Sequence, residues 1–331
     1  MLSLTLLTLL PLASAVPRLT APQGCLTVAK SSAQHTSLKS AVAALSLTTT
    51  SAQCIFIGPG TYNEQVLVPS TLKSPLIIYG STSDDATYKS NTVTLLSSLS
   101  QANGLSNDET GTLRVHSKAG VKIYNIDMVN GYGKGSQAVA LSVQGGGGVG
   151  VYGGRMVGFQ DTLLANEGKT FVAKSLVQGA TDFVFGRRGI AWFQGVDVMV
   201  VEASVGYITA SGRQLASDPG YYVFDNCVVA AADAHSVANG AYYLGRPWAA
   251  FARVVFQRSN LEAVINSAGW RIWNTGDERT SNVLFGEYGN TGTGSQGTRA
   301  SFSKKLGALV TMAEVLGSDY STAWWFDRNY L

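Results

Sequence analysis

An all-β parallel solenoid, or β-helix, is the architecture this sequence predicts, and three observations carry it. Six segments resemble one another: VKIYNIDMVN (121–130), VGVYGGRMVG (149–158), FVAKSLVQG (171–179), AWFQGVDVMV (191–200), YVFDNCVVA (222–230) and VVFQRSNLEA (254–263). Each is an apolar alternation, a polar kink, then a second apolar pair. Anchored on Tyr124, Tyr152, Val172, Phe193, Phe224 and Phe256, they recur at 28, 20, 21, 31 and 32 residues, the irregular period of a coil whose loops vary in length. A sandwich would place turns every 8–12 residues and would not need the self-similarity. Composition agrees: 331 residues with 37 glycines, 45% hydrophobic and only 14% charged suit a turn-rich β protein with a large core.

The ends read differently. Residues 2–15, LSLTLLTLLPLASA, form an apolar run closed by Ala13-Ser14-Ala15, the pattern of a secretory signal cleaved after Ala15. The run is too short for a membrane anchor and Pro11 interrupts it. Residues 16–331 then form one domain of an extracellular protein. Ser37–Leu47 has Leu38, Val42 and Leu45 on one helical face and predicts a short cap helix. Lys304–Leu316 predicts a second short helix, and Trp324-Trp325-Phe326 predicts a tail packed on the solenoid or over its end. An oxidising compartment permits a Cys25–Cys54 bridge, with Cys227 a small buried hydrophobe.

Chemistry is narrowed by what is missing. There is no G-x-S-x-G, no HExxH, and no closely spaced Cys/His pairs, so serine, thiol and zinc chemistry lack support. Gly145–Gly148 lacks a Lys-Ser/Thr and reads as a loop, not a phosphate cradle. The net charge of +3 contains no Lys/Arg block that would point to nucleic acid. No cofactor or metal is expected.

What remains is a set of acids, amides and one arginine. Gln137 to Gln160 is 23 residues and Asp161 to Asp182 is 21, each one coil. Stacked strands lie about 4.8 Å apart, so two amides and two carboxylates meet in one patch. Close carboxylates separate in pKa. Arg246 of LGRPW is the cation assigned to Asp182, which is left ionised as a nucleophile. Asp161, facing a second carboxylate, keeps its proton as general acid, and Gln137 and Gln160 offer N–H groups to an oxyanion. Such a set hydrolyses an ester through an acyl-enzyme. Two geometric demands follow: a bend at Gln160–Asp161, because strand neighbours face opposite sides, and an Arg246 that approaches from a loop or another face, being 64 residues past Asp182.

Five motifs in this order, GTYNEQV (60–66), QAVAL (137–141), GFQDTL (158–163), DFVFG (182–186) and LGRPW (244–248), resemble the pectin methylesterases (pectinesterases), in their secreted fungal form. The resemblance implies a single-stranded right-handed parallel β-helix that demethylates galacturonosyl methyl esters of pectin. It implies Asp182 as nucleophile, Asp161 as proton donor, Gln137 and Gln160 at the oxyanion, and Arg246 orienting Asp182. For substrate binding it implies Trp248, Trp273 of GWRIW, Phe185 and Thr112 of TGTLRV. Tyr62 and Glu64 are read as turn-shaping. Leu164 stands where many relatives carry an aromatic, and Met156 and Leu176 where the plant pattern has cysteines. The partner expected is methylated polygalacturonan, with no nucleic acid or membrane, and the protein is expected to be a monomer. A polygalacturonase or pectate lyase would need an Asp trio with Gly-His-Gly or a calcium-binding acidic cluster, and neither is visible.

Overall fold

The computed structural model describes residues 16–331, so the signal segment expected at 1–15 lies outside the described residues. The repeats are coils. Each of the first five contributes one strand to each of three parallel sheets, of eleven, seven and eight strands, the sixth contributes to the eleven- and eight-stranded sheets alone, and neighbours within a sheet are consecutive coils. All three sheets are parallel throughout.

The polar kink of each repeat is the corner between the eleven- and eight-stranded sheets. Asn125, Gly153, Lys174, Gly195, Asn226 and Arg258 occupy it, all with φ between 50° and 58°. A left-handed residue turns the chain sharply, which is why Asn and Gly recur there. Inside, one column runs Ile123, Val151, Val172, Phe193, Phe224, Phe256. Tyr152 therefore does not register with Val172, as the repeat spacing suggested; Val151 does, and the true interval is 21. A one-residue slip moves a side chain to the other face, and Tyr152 indeed stacks outside on Tyr124 at 4.9 Å. Phe193, Phe224 and Phe256 stack face to face at 4.2 Å with interplanar angles of 2° and 1°. Repetition of the coil imposes that geometry.

The N-terminal end is closed by α1 (Leu38–Ala43), shorter than the sequence suggested, with Ser37 as its N-cap. Leu38, Ala41, Val42 and Leu45 enter the core. Glu64 accepts from the Leu38 and Lys39 N–H groups at 2.8 and 2.9 Å, and the buried Tyr62 hydroxyl donates to Gly58 O at 2.9 Å. Both GTYNEQV residues are thus structural. The Cys25–Cys54 disulfide forms between adjacent strands and closes a 29-residue separation, which contributes about 3.6 kcal/mol by loop entropy. Cys227 is buried and its thiol is pushed up to about 12 by desolvation. Met156 registers with Val177 and not with Leu176, so the two positions do not face each other across coils.

Lys304–Leu316 is not one helix. Ser303–Lys305 adds the last strand of the eleven-stranded sheet, and α2 is only Met312–Leu316, started by a Thr311–Glu314 capping box. Beyond it the tail lies along the outside of that sheet, where Leu316, Trp325, Phe326 and Tyr330 cover Tyr124, Tyr152, Phe171 and Trp192. Gly148 makes the seat for Trp325: a Cβ there would stand 2.1 Å from the indole. Trp324, over which Lys122 Nζ lies at 4.8 Å, stays 38% exposed.

Candidate active site

The seven-stranded sheet carries the site. Its outer face presents one register column: Arg114, Ser142, Leu164, Phe185, Ala210 and Arg246. Asp161 and Asp182 precede two of these strands, or open them, on consecutive coils. Gln160 registers with Thr181, and the Asp161 N–H donates to Thr181 O at 3.1 Å, so the aspartates are rung neighbours. Both adopt left-handed backbone, with φ 64° at Asp161 and 51° at Asp182. That is the bend the sequence demanded: a positive φ breaks strand alternation and lets Gln160 and Asp161 serve one side. Asp is among the few non-glycine residues that tolerate it, at a cost of about 1–3 kcal/mol each.

Arg246 reaches Asp182 in a forked pair, Nε to Oδ1 at 2.9 Å and Nη2 to Oδ2 at 2.7 Å. It comes neither from a loop nor from another face. Its strand, Tyr242–Pro247, lies in the same sheet two strands from Thr181–Gly186, about 10 Å away and within reach of an arginine. The 64 residues between them hold two long coils, not three short ones. The guanidinium is clamped between the rings of Tyr207 at 4.1 Å and Trp273 at 4.3 Å. Tyr207 carries no motif and went unread in the sequence; its only signal is its register with Thr181.

Both carboxylates are 7% exposed. Burial, then the Asp182 charge, raise Asp161 well above the ordinary carboxylate range, with Arg246 opposing weakly. Burial also raises Asp182, while the Arg246 hydrogen bonds and charge pull it back. Arg246 thus limits the rise at Asp182 and does not take it below the usual value. The order of the pair is the useful result: Asp161 holds its proton to higher pH. Because its folded pKa exceeds the unfolded value of about 3.9, Asp161 contributes stability below about pH 4 that is lost as pH rises through the folded value. Asp161→Asn is therefore expected to melt above the wild type once pH passes that value, with the gap closing in acid. Thermal unfolding across pH checks this; a gap that widened in acid would contradict it.

Gln137 and Gln160 are half-buried on consecutive coils, joined by the Ala138 N–H donating to Gln160 O at 3.0 Å. Neither Nε2 donates to any group among the described residues, which leaves both free for a ligand. Trp248 and Trp273 are half-buried at the rim. Phe185 and Thr112 do not line an open surface. Phe185 is on the outer face but packs with Val139, Leu164 and Ala210 beneath Trp248, at 6.2 Å and 2% exposed. Its role is to support the indole. Leu164, in the place of an aromatic, belongs to the same cluster. Thr112 is fully buried, its hydroxyl donating to Val129 O at 2.9 Å. No cluster of His, Cys, Asp and Glu with metal-ligating geometry exists among the described residues.

The pectinesterase family profile matches residues 25–317. The chain belongs to the pectinesterase family. A pectinesterase of Aspergillus aculeatus is 46% identical over 321 residues, covering 96% of each chain, and one of Aspergillus niger is 44% identical over the same length and shares. The crystal structure of the Aspergillus niger pectin methylesterase in deglycosylated form superposes with a TM-score of 0.86 at 37% identity, covering 95% of this chain and all of that one. A carrot pectin methylesterase shares the fold, with a TM-score of 0.81 at 24% identity over 93% of this chain and 98% of that one. This pectinesterase is thus an ester hydrolase on a parallel β-helix. No helix among its described residues is long and apolar enough to cross a membrane.

Proposed function

We propose that this pectinesterase hydrolyses galacturonosyl methyl esters of pectin, releasing methanol, as one extracellular domain (16–331) acting as a monomer. Asp182 attacks the ester carbonyl carbon. The carbonyl electrons move to an oxyanion that accepts from the Gln137 and Gln160 amides, where fixed N–H groups act more strongly than water. Collapse expels the methoxy group, which takes the Asp161 proton and leaves as methanol. The product is an anhydride between Asp182 and the uronate. Water then attacks it, gives its proton to the Asp161 carboxylate, and frees Asp182 to rejoin Arg246. Trp248 and Trp273 edge the groove in which the polymer lies.

The forked Arg246–Asp182 pair, beside an Asp161 that burial and the neighbouring carboxylate raise well above the ordinary range, carries this reading. One buried carboxylate has a cation and the other has none, which divides nucleophile from acid. The test is methanol and proton release from methylated pectin with EDTA present, with chain length followed in parallel. Equal release of both, at constant chain length, is expected. Shortened chains without methanol would end the proposal.

A further inference from the structure

Residues 82–91 form a loop that follows the Leu76–Gly80 strand of the eleven-stranded sheet, closed at its neck by an antiparallel bridge between Thr82 and Asn91. Tyr88 pins it by donating to Asp197 Oδ2 at 2.5 Å, and Asn91 donates to Asp127 Oδ1 at 2.8 Å. Two distant parts of the chain meet on Asp85 of this loop. From the C-terminal tail, the Tyr330 hydroxyl donates to Asp85 O at 2.7 Å. From the other side come residues 16–18. Arg18 and Thr82 exchange backbone hydrogen bonds at 2.8 and 3.1 Å, and the Asp85 N–H donates to Val16 O at 3.2 Å. That pairing sets the Val16 nitrogen against the carboxylate, where it donates to Asp85 Oδ1 at 2.9 Å.

The two carboxylate oxygens are divided between partners. Oδ2 faces Arg18 Nη2 at 3.4 Å, while Oδ1 has Val16 N as its one donor among the described residues. Arg18 is also engaged elsewhere: Nη1 donates to Asn125 Oδ1 at 2.9 Å, and its guanidinium lies 4.7 Å from the Tyr79 ring and 5.4 Å from that of Tyr124. Asp327 and Tyr330 face the same cluster from the tail. Val16 is the residue that cleavage after Ala15 would place first in the chain. Hydrolysis of the peptide bond between Ala15 and Val16 consumes one water, and Ala15 leaves as a carboxylate while Val16 keeps an amine. A free chain-end amine titrates at about 7.7–8.0, so at neutral pH it binds a further proton. An uncharged donor touching Asp85 thereby becomes a cation.

We propose that Asp85 is the acceptor site for the Val16 α-ammonium freed by removal of the signal, so that cleavage completes an ion pair clasping the 82–91 loop to the start of the chain. This rests on cleavage after Ala15. Before it, the same nitrogen is a neutral amide, and the clasp has its hydrogen bonds without the charge. Most surface ion pairs are weak because two long side chains must be ordered to form them. Here the cation sits on the main chain and is already held by the pairing with Thr82 and Asp85.

The N-terminal sequence and mass of the secreted protein score the cleavage alone, with Val16 expected first; any other start overturns the proposal. The ion pair is scored on the Val16 amine, whose pKa is read from the pH dependence of its acetylation by acetic anhydride, followed on the N-terminal peptide. It should lie about half a unit above that of a free chain end. Asp85→Asn, which keeps an acceptor without charge, should return it to the ordinary value, and added salt should shrink the shift. A folded pKa raised in this way contributes stability below about pH 8 that is lost as pH rises through the folded value. Wild type should therefore melt above its selectively Nα-acetylated form at neutral pH, and the gap should close by about pH 10. A Val16 start whose amine titrates as a free chain end, or is unmoved by Asp85→Asn, overturns the ion pair and leaves the cleavage standing.

Discussion

Asp182→Ala is expected to lower methanol release from methylated pectin by about 10⁴-fold or more, the scale on which losing a covalent nucleophile is felt. No other group can replace it. Asp161 is the nearest carboxylate, but it is buried without a cation of its own and is raised further above the ordinary range than Asp182. The alanine variant also strips Arg246 of its partner, and an unpaired buried guanidinium is costly. Asp182→Asn separates the two effects. Its amide oxygen still accepts from Arg246 and its shape is kept, so it should be equally silent while melting near the wild type. Methanol assay and thermal unfolding on both variants decide the matter, and near-normal turnover in Asp182→Asn would remove the nucleophile from the mechanism.

Arg246→Ala should lower kcat/KM by about 10²–10³-fold near neutral pH, comparable to removing one electrostatic element of an active site. The pH profile is the more specific readout. Attack requires ionised Asp182 and protonated Asp161, so activity rises as the first loses its proton and falls as the second does. The pair titrates as a unit, and both limbs belong to it jointly. Every contribution that lowers Asp182 comes from Arg246. Without that residue the rising limb should move to higher pH and narrow the active window. Arg246→Lys restores charge but not the fork and should fall between. A rising limb that stays in place would mean Arg246 positions the carboxylate without tuning it.

Much of this was legible in the chain because a solenoid writes its geometry as a period. Phe193, Phe224 and Phe256 register as their spacing implied, and the equal coil between Asp161 and Asp182 made them neighbours. Where loop length varies, the period stops measuring distance. Arg246 stood three short coils away by residue count but two rungs away in the sheet, because the coils before it carry long insertions. Tyr207 was hidden for the same reason. Facing was the other blind spot. Alternation told which residues share a side, but not that Trp248 would cover Phe185 or that Thr112 would turn its hydroxyl to Val129. The Lys304–Leu316 segment misled because α2 is only its last turn, the start being a strand that continues the sheet.

The tail that follows α2 has a consequence for how the molecule comes apart. A stack of coils touching only their neighbours ordinarily unravels from either extremity. Here the last residues double back along the outer wall. Tyr124 donates to Asp327 at 2.7 Å, Tyr152 to Trp325 O at 2.5 Å, and Tyr330 to Asp85 O at 2.7 Å. The C-terminus is thereby latched to the opening coils, bypassing every rung between. Fraying at one extremity must release the other, so a structure built as a linear array is bound to melt as a closed loop.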